Sequence, residues 1–349
     1  MTLLALETSC DETSAAVVRN GQILSNIVSS QIPLHAEYGG VVPELATREH
    51  LRNFLPVTNQ ALRAAQITSH NVEAVAATQG PGLPNALMVG LKAGQALAFV
   101  LRKPFVGIHH HEAHLYSPWI SGQPPAADFA AFQPNVSLIV SGGHTLLVHV
   151  ESELNHRVLG STLDDAAGEC FDKVGKLIGL PYPGGPELDR LAAHGNPKAY
   201  DFPRPLLREL GDDFSFAGLK TSVRYFLQKN PTLLADPQKV RDLCASVQAS
   251  IVEVLVTKTI RAARRIGVRC ITASGGVTCN SALRRDLAAA CQRDGFDLRL
   301  ADKSLCTDNA GIIGVLAERK LMLGAAPASL DADISPNWEM PPSRRDSRK

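Results

Sequence analysis

Two stretches of this chain are written in the same grammar, and that repetition limits the folds open to it. Leu3 to Leu6 is apolar, Glu7 to Ser14 is polar, and Ala15 to Val18 is apolar again. Much later, Ser137 to Val140 is apolar, Ser141-Gly142-Gly143-His144-Thr145 reads as a turn, and Leu146 to Val150 is apolar once more. Short apolar runs bounded by small and polar residues read as strands joined by a hairpin. A hairpin opening each half of the chain predicts two related lobes, alike in pattern though not in letters. At 349 residues the chain is also long for one compact domain, so length points the same way.

Between and after the hairpins the periodicity is that of an α/β protein. Glu44 to Ala65 reads as helix and Val72 to Thr78 as strand. Gly80-Pro81-Gly82-Leu83-Pro84 is a turn feeding a helix from Asn85 to Val100, and Phe105 to Ile108 is a further strand. The loop-like run from Gly122 to Pro134 is the best boundary. Beyond it come a helical, insertion-like region (Asp164 to Phe226) and a long helix (Arg241 to Arg265). Strand Cys270 to Ala273, turn Gly275-Gly276-Val277 and helix Asn280 to Cys291 follow, with a last helix from Asn309 to Leu323. The expected lobes are residues 1–130, joined by a returning C-terminal helix at about 310–345, and residues 131–309, with the insertion at about 160–230.

Composition excludes several classes. Thirty-five Lys and Arg against 34 Asp and Glu leave a net charge of +1, so nucleic acid is not held by bulk charge, only by a local basic face. Arg261, Arg264 and Arg265 on a helix, with Arg48 and Lys220 on turns, are candidate phosphate contacts; a solvated face is the alternative for each. The tail from Arg344 to Lys349 reads as a frayed, solvated terminus. Seven cysteines without a C-x-x-C pair predict free thiols in a reducing compartment. The N-terminus lacks a basic n-region, and the apolar run Leu83–Leu101 is broken by Pro84, Asn85, Lys92 and Gln95. These features predict a cytoplasmic protein with no membrane span.

Three turns place small residues directly after an apolar strand: Thr8-Ser9, Ser141-Gly142-Gly143 and Ser274-Gly275-Gly276. Glycines let successive backbone N–H groups approach an anion, and α/β ligands gather at strand C-termini. Each turn alone is a tight turn; three together predict a nucleotide. None matches the phosphate-loop or G-x-G-x-x-G patterns. The His cluster His109-His110-His111-Glu112-Ala113-His114 is sharper. On a helix, i and i+4 share a face, so His110 and His114 can offer two imidazoles to one ion. A third ligand must be a carboxylate, and Asp308 before the last helix is a candidate, with a plain N-cap as its alternative. The zincin H-E-x-x-H is one residue short here, so a peptidase reading fails. Glu7, Asp11 and Glu12 in the first turn are candidate catalytic acids or bases. Asp165, Glu169, Asp172 and Lys176 fall on one helical face, after a possible capping box at Thr162 and Asp165.

Longer motifs then give a resemblance. Leu6-Glu7-Thr8-Ser9-Cys10-Asp11-Glu12-Thr13, Tyr38-Gly39-Gly40-Val41-Val42-Pro43-Glu44-Leu45-Ala46, Gly80-Pro81-Gly82-Leu83 and His109 to Leu115 resemble the tRNA threonylcarbamoyladenosine transferase family. So do Val140 to Thr145, Asp164 to Glu169, Tyr182 to Pro186, Gly218 to Thr221, Gly275-Gly276-Val277 and Cys306-Thr307-Asp308-Asn309. The motifs run in family order over nearly the whole chain and look like the bacterial, TsaD-type branch. The resemblance implies a two-lobed actin/Hsp70/sugar-kinase-like (ASKHA) fold, with duplicated α/β lobes around a nucleotide cleft. It implies transfer of the threonylcarbamoyl group from threonylcarbamoyl-AMP to the exocyclic amine of adenosine 37 in tRNAs reading ANN codons, with release of AMP.

By the same resemblance, His110, His114 and Asp308 hold one divalent metal per subunit, iron(II) in the general assignment and zinc(II) as the alternative. Ile139, Val140, Ser141, Gly142, Gly143, Asp172, Gly185, Asp189 and Asn280 line the adenylate site. The implied partners are tRNA through its anticodon loop, an inactive paralogue of the TsaB type and a small ATPase of the TsaE type. There are departures. His111 stands where the family more often has an apolar residue, Gln95 where a basic residue is common, and Ala217 where a serine is common. A small-molecule kinase of the same fold would need Mg–ATP and no His pair. An Hsp70-like binding module would need a substrate-binding domain after the nucleotide fold.

Overall fold

The computed structural model describes residues 1–340, and the basic tail Arg344–Lys349 lies outside the described residues. Its contacts divide into two units, Met1–Phe132 with Thr307–Met340, and Gln133–Cys306.

The first unit is built on β1 (Thr2–Glu7), β2 (Glu12–Arg19), β3 (Gln22–Ser30), α1 (Ile32–Ala36), α2 (Pro43–Ala64), β4 (Ala74–Gly80), α3 (Pro84–Leu101), β5 (Phe105–His109), α4 (His110–Tyr116), β6 (Ile120–Ser121) and β7 (Ala126–Ala127). Its sheet runs β5-β4-β1-β2-β3-β7-β6. β1 pairs antiparallel with β2 and parallel with β4, and β4 pairs parallel with β5. All six residues of β1 are buried, and Leu3–Leu6 within it is the continuous apolar run expected of a strand covered on both faces. Proline opens both α2 and α3, where its missing N–H is one the helix could not have used. The last helix of the described residues, α10 (Ala310–Met322), returns to pack on β1, β2 and α4.

The second unit holds β8 (Asn135–Val140), β9 (Thr145–Ser152), β10 (Asn155–Ser161), α5 (Ala167–Leu177), α6 (Gly184–Ala192), α7 (Ala217–Lys229), α8 (Pro237–Ile266), β11 (Cys270–Ser274), α9 (Ser281–Asp294) and β12 (Asp297–Leu300). Its sheet order, β10-β9-β8-β11-β12, repeats the first unit's β3-β2-β1-β4-β5 strand for strand. The matching pairs also agree in direction, antiparallel in the three-strand meander and parallel beyond it. The two hairpins are therefore the opening of one five-strand design used twice. α8 starts where the Asp236 carboxylate accepts from Gln238 N at 2.9 Å and Lys239 N at 3.3 Å, and stops at Gly267 with φ +82°.

Several expectations are corrected. Each hairpin continues into a third strand, β3 or β10, whose mixed polar letters hid it. The capping box at Thr162 and Asp165 does not form. α5 begins later, with Glu169 accepting from Ala166 N at 3.4 Å, while the Thr162 hydroxyl donates to the Asp165 carbonyl at 2.7 Å. Asn309, and not Asp308, caps α10, accepting from Ile312 N at 3.2 Å. Arg48 lies on α2 and Lys220 on α7, not on turns. Two helices, α3 and α8, are long and apolar enough to cross a membrane by length and composition alone, against the expectation for Leu83–Leu101. Core helices pass that test too: Leu87, Leu91 and Ala98 of α3 are fully buried, as are Ile251 and Leu255 of α8.

Candidate functional site

In the first unit, three strand ends meet because β1, β4 and β5 run parallel side by side. Glu7 closes β1, Thr78 lies near the end of β4, and β5 runs straight into α4 with His109 as its N-cap. α4 puts His110 and His114 one turn apart on one face, their rings 4.9 Å apart and nearly perpendicular. Lys320 of α10 pairs with Glu112 of α4 at 2.6 Å, tying the helix that follows Asp308 to the helix that carries the histidines.

The Nε2 atoms of His110 and His114 each lie 3.3 Å from Asp308 Oδ1. One donor atom from each of these three residues falls within 4.8 Å of the others, the only such group of three His, Cys, Asp or Glu among the described residues. Two imidazole nitrogens and one carboxylate oxygen suit a borderline divalent ion, and the set leaves positions for water or substrate. The residues present therefore fit a metal. Behind it, Glu7 Oε2 lies 3.0 Å from His110 Nδ1 and accepts from the Thr78 hydroxyl at 2.6 Å, and Glu7 Oε1 accepts from Ser9 N. A carboxylate on the far nitrogen fixes the imidazole's orientation and tautomer.

The cluster is buried and strongly coupled in charge. Burial pushes the Glu7 carboxyl up, but the His110 charge and hydrogen bond outweigh it and hold it below its usual value. Burial likewise opposes ionisation of Asp308, and His110 overrides it, taking that carboxyl well below the usual range. Burial alone would make His110 a weaker base; Asp308 and Glu7 on either side raise it well above an ordinary histidine. Burial wins at His114, which is lowered. Two carboxylates thus favour the charged form of His110, and a divalent cation held there would bring positive charge to the same place.

The two remaining candidate acids of the first turn, Asp11 and Glu12, are both buried. Glu12 accepts from the Ser30 hydroxyl at 3.3 Å, and burial, then the nearby charges of Asp11 and Asp308, raise its pKa well above an ordinary glutamate. The Thr8-Ser9 turn differs from the open cradle expected of it: the Thr8 hydroxyl donates to Ala86 O at 2.8 Å and accepts from Gly90 N at 3.2 Å, and Ser9 O accepts from Leu83 N at 2.8 Å.

The nucleotide-site candidates all lie in the second unit. Ile139 and Val140 end β8, and Ser141-Gly142-Gly143 turns towards β9. β11 pairs parallel beside β8, so its following turn lies against the first one; a Cβ on Gly275 would collide with Val140 O. The N-terminus of α5 abuts the same turn, where a Cβ on Gly168 would collide with Ser141 O. Gly142 and Gly143, in contrast, have room: a Cβ on either would meet nothing within 4 Å. Two strand-end turns and a helix N-terminus around open space make an anion cradle. Nearby, Asp172 Oδ1 accepts from Gly185 N at 3.0 Å, joining α5 to α6. Asp189 accepts from Ser281 N at 3.0 Å and the Ser281 hydroxyl at 2.7 Å, and Asn280 caps α9 while donating to Gln248 at 2.8 Å.

Sequence reasoning missed the direct Glu7–His110 contact and the Thr78 hydroxyl beneath it. The signal was present in the strand pattern, since three parallel strands must present their C-terminal residues side by side. The basic residues singled out for phosphate are largely spent within their unit. Arg265 forks onto Asp212, Arg261 donates to Gly211 O at 2.9 Å, Arg264 pairs with Asp294 at 2.8 Å and Lys220 with Asp165 at 2.8 Å.

Known proteins agree on the fold and the family. A family profile described as "TsaD: tRNA N6-adenosine threonylcarbamoyltransferase" matches residues 22–315. A protein of that description from Syntrophotalea carbinolica is 48% identical over 341 residues, covering 97% of each chain, and one from Geobacter metallireducens is 49% identical over 342 residues, again with 97% of each chain covered. Full-length HypF in its phosphate- and nucleotide-bound form superposes with a TM-score of 0.58 over 93% of this chain and 47% of that one, at 16% identity, which shows the ASKHA fold alone. The chain belongs to the tRNA N6-adenosine threonylcarbamoyltransferase family and is a tRNA-modifying transferase.

Proposed function

We propose that this enzyme moves the threonylcarbamoyl group from threonylcarbamoyl-AMP to the exocyclic amine of adenosine 37 in tRNAs reading ANN codons, in a metal-dependent reaction that releases AMP. The observation that carries the metal dependence is the convergence of His110, His114 and Asp308 on one point, with Glu7 behind His110. Their donor set suits iron(II), with zinc(II) the alternative. A divalent ion held there supplies Lewis acidity, polarising a bound carbonyl oxygen. Glu7 and Thr78 orient His110. The glycine turns at Ser141 and Gly275 and the start of α5 hold the phosphate of the adenylate, with Ile139 and Val140 beneath them. Asp172, Gly185, Asp189 and Asn280 take the nucleoside; the carboxylates of Asp172 and Asp189 suit ribose hydroxyls. Glu7, Asp11 and Glu12 are the acids of the first turn that stand as candidates for proton transfer. The target adenine leaves the anticodon-loop stack to reach the donor, as single-stranded RNA targets do.

In this reading the enzyme works in the cytoplasm with an inactive paralogue of the TsaB type and a small ATPase of the TsaE type. What supports a protein partner is an apolar groove of about 520 Å³ on α2 and α3, lined by Leu51, more than half exposed, with Phe54, Met88 and Val89. The test is reconstitution: the purified chain, threonylcarbamoyl-AMP, cognate tRNA and both partners, scored by nucleoside mass spectrometry. Modified adenosine is the expected product. If none forms while a small substrate is phosphorylated from ATP, the transfer reading falls.

A further inference from the structure

Residues 10–13 lead from β1 into β2 and carry Asp11 and Glu12, and side chains outside the metal cluster grip that segment. His50 of α2 has no exposed surface, and its two ring nitrogens hold the two ends of the segment. Nε2 lies 3.0 Å from Cys10 O, and Nδ1 lies 2.8 Å from the Thr13 hydroxyl. One imidazole therefore spans both acids. Between its two grips, Asp11 O accepts from Gln31 N at 3.0 Å. The Gln31 side chain, also buried, extends the contact: its amide nitrogen stands 3.3 Å from His50 Nδ1 and its amide oxygen 3.2 Å from His35 Nε2. The amide nitrogen also donates to Ala46 O at 3.3 Å, which fixes which way the amide faces. Val42 N donates to His35 Nδ1 at 3.3 Å and ends the chain of bonds.

The proton positions follow from the two ends, where backbone groups act in one sense only. A carbonyl oxygen accepts, so His50 Nε2 carries a hydrogen and donates it to Cys10 O. A backbone N–H donates, so His35 Nδ1 is bare and His35 Nε2 donates to Gln31 Oε1. His50 Nδ1 is left as an acceptor for the Thr13 hydroxyl and the Gln31 amide. Both rings are thus neutral and every donor meets an acceptor. Burial acts in the same direction, holding the His50 pKa below its ordinary value. A buried network satisfied in full is rigid.

We propose that His50 is a positioning residue for the transfer reaction, setting the backbone that carries Asp11 and Glu12, with Gln31 and His35 holding it in register. The proposal rests on the reading of those acids as candidates for proton transfer. Such a group must stand within hydrogen-bond reach of its target, and a displacement of about 1 Å costs on the order of 100-fold in rate.

The test uses the full chain with its partners, threonylcarbamoyl-AMP and cognate tRNA, and reads kcat and KM separately. H50A should lower kcat about 100-fold, with KM for tRNA and bound metal as in the wild type. H50Q, whose amide can accept from Thr13 and donate to Cys10 O, should recover part of that loss. T13V keeps the shape of Thr13 without its hydroxyl and should lower kcat by less than H50A; it carries the test if H50A does not fold. Hydrogen exchange of the amides at residues 10–13 should quicken in T13V while the rest of the chain keeps its protection. A wild-type kcat in T13V or H50A overturns the proposal, as does a loss in H50A that comes with equal losses of KM and metal and that H50Q does not relieve. If D11A and E12A both transfer like the wild type, the reading of the acids fails and the proposal falls with it. If those variants lose activity while H50A and T13V keep it, the proposal falls alone.

Discussion

The two units share one sheet design and use the same end of it in opposite ways. In the first unit the strand ends are filled: Glu7, Thr78, His110 and Asp308 occupy the space with interlocked, buried charge. In the second, the corresponding turn after β8 carries Gly142 and Gly143 with open space where their side chains would be, and the start of α5 packs against that turn. Duplication supplied a place where backbone ends converge. Side chains then gave one copy the donor set proposed for a cation, and open glycines gave the other the cradle proposed for an anion. The same topology thus does not dictate the same chemistry, and each half of the contrast can be broken separately.

The largest effect should follow from removing a metal donor. D308A takes away the one oxygen that lies near both imidazoles. Bound metal, measured by mass spectrometry of the ashed protein, should fall to background. Transfer should fall by more than the roughly 10–100-fold that loss of a supporting residue costs. Metal content equal to the wild type would remove the cation site from the comparison.

E7Q tests whether the filled end is also a tuned end. It keeps the shape behind His110 but removes a charge, and metal affinity should drop roughly 10–100-fold with the fold intact. The pH dependence has a definite sign. His110 must lose its proton to ligate, and its folded pKa is raised well above the ordinary value. Metal affinity of the wild type should therefore rise with pH up to that pKa and level off above it, and uptake near pH 7 should release about one proton. Without the Glu7 charge the His110 pKa falls, so E7Q should release less. Calorimetry in buffers of different ionisation enthalpy reads this directly, and unchanged proton release would separate Glu7 from His110.

Much of this contrast could be read in the letters, and the rest could not for identifiable reasons. His110 and His114 announce themselves because i, i+4 spacing is local to one helix. Asp308 does not, being remote in sequence; its plain alternative as a helix cap fails only because Asn309 takes that position. The hairpins were legible, since β1, β2, β8 and β9 each contain a short apolar run, such as Leu3–Leu6 or Ala15–Val18. β3, β10 and β12 were not, because half-exposed strands with letters such as Gln22-Ile23-Leu24-Ser25-Asn26 carry weak periodicity. The pairing of Asp189 with Ser281, and of Asp172 with Gly185, depends on how α5, α6 and α9 pack, which no single window of sequence contains.

The open end of the second unit can be tested with two glycines that look alike in sequence. Gly275 has φ +89° and its Cβ would collide with Val140 O, so G275A should lose about 1–3 kcal/mol of stability in urea unfolding. Gly142 has neither restraint. G142A should leave the unfolding midpoint in place and weaken adenylate binding, because the added methyl group enters the space where the anion would approach. Equal destabilisation by both would mean that the turn is only a turn.

The smallest effect concerns the helical insertion, which the first unit lacks. α7 has no side-chain cap of its own at Phe216. Asp164, far away in sequence, supplies it, accepting from Phe216 N at 2.8 Å, Ala217 N at 3.1 Å and the Ser215 hydroxyl at 2.6 Å. Partial burial works against the charge, but these hydrogen bonds outweigh it and hold the carboxyl below the ordinary aspartate value of 3.8. D164A should cost about 1 kcal/mol, as loss of a helix cap does, and D164N should recover part of it through the remaining oxygen. A carboxyl whose folded pKa is depressed stabilises fully above its unfolded pKa and loses that contribution as pH falls through the folded one. The gap between wild type and D164A should therefore be constant from neutral pH down to about 4 and shrink below it. A gap that persists unchanged in acid would show that shape alone, without charge, starts α7.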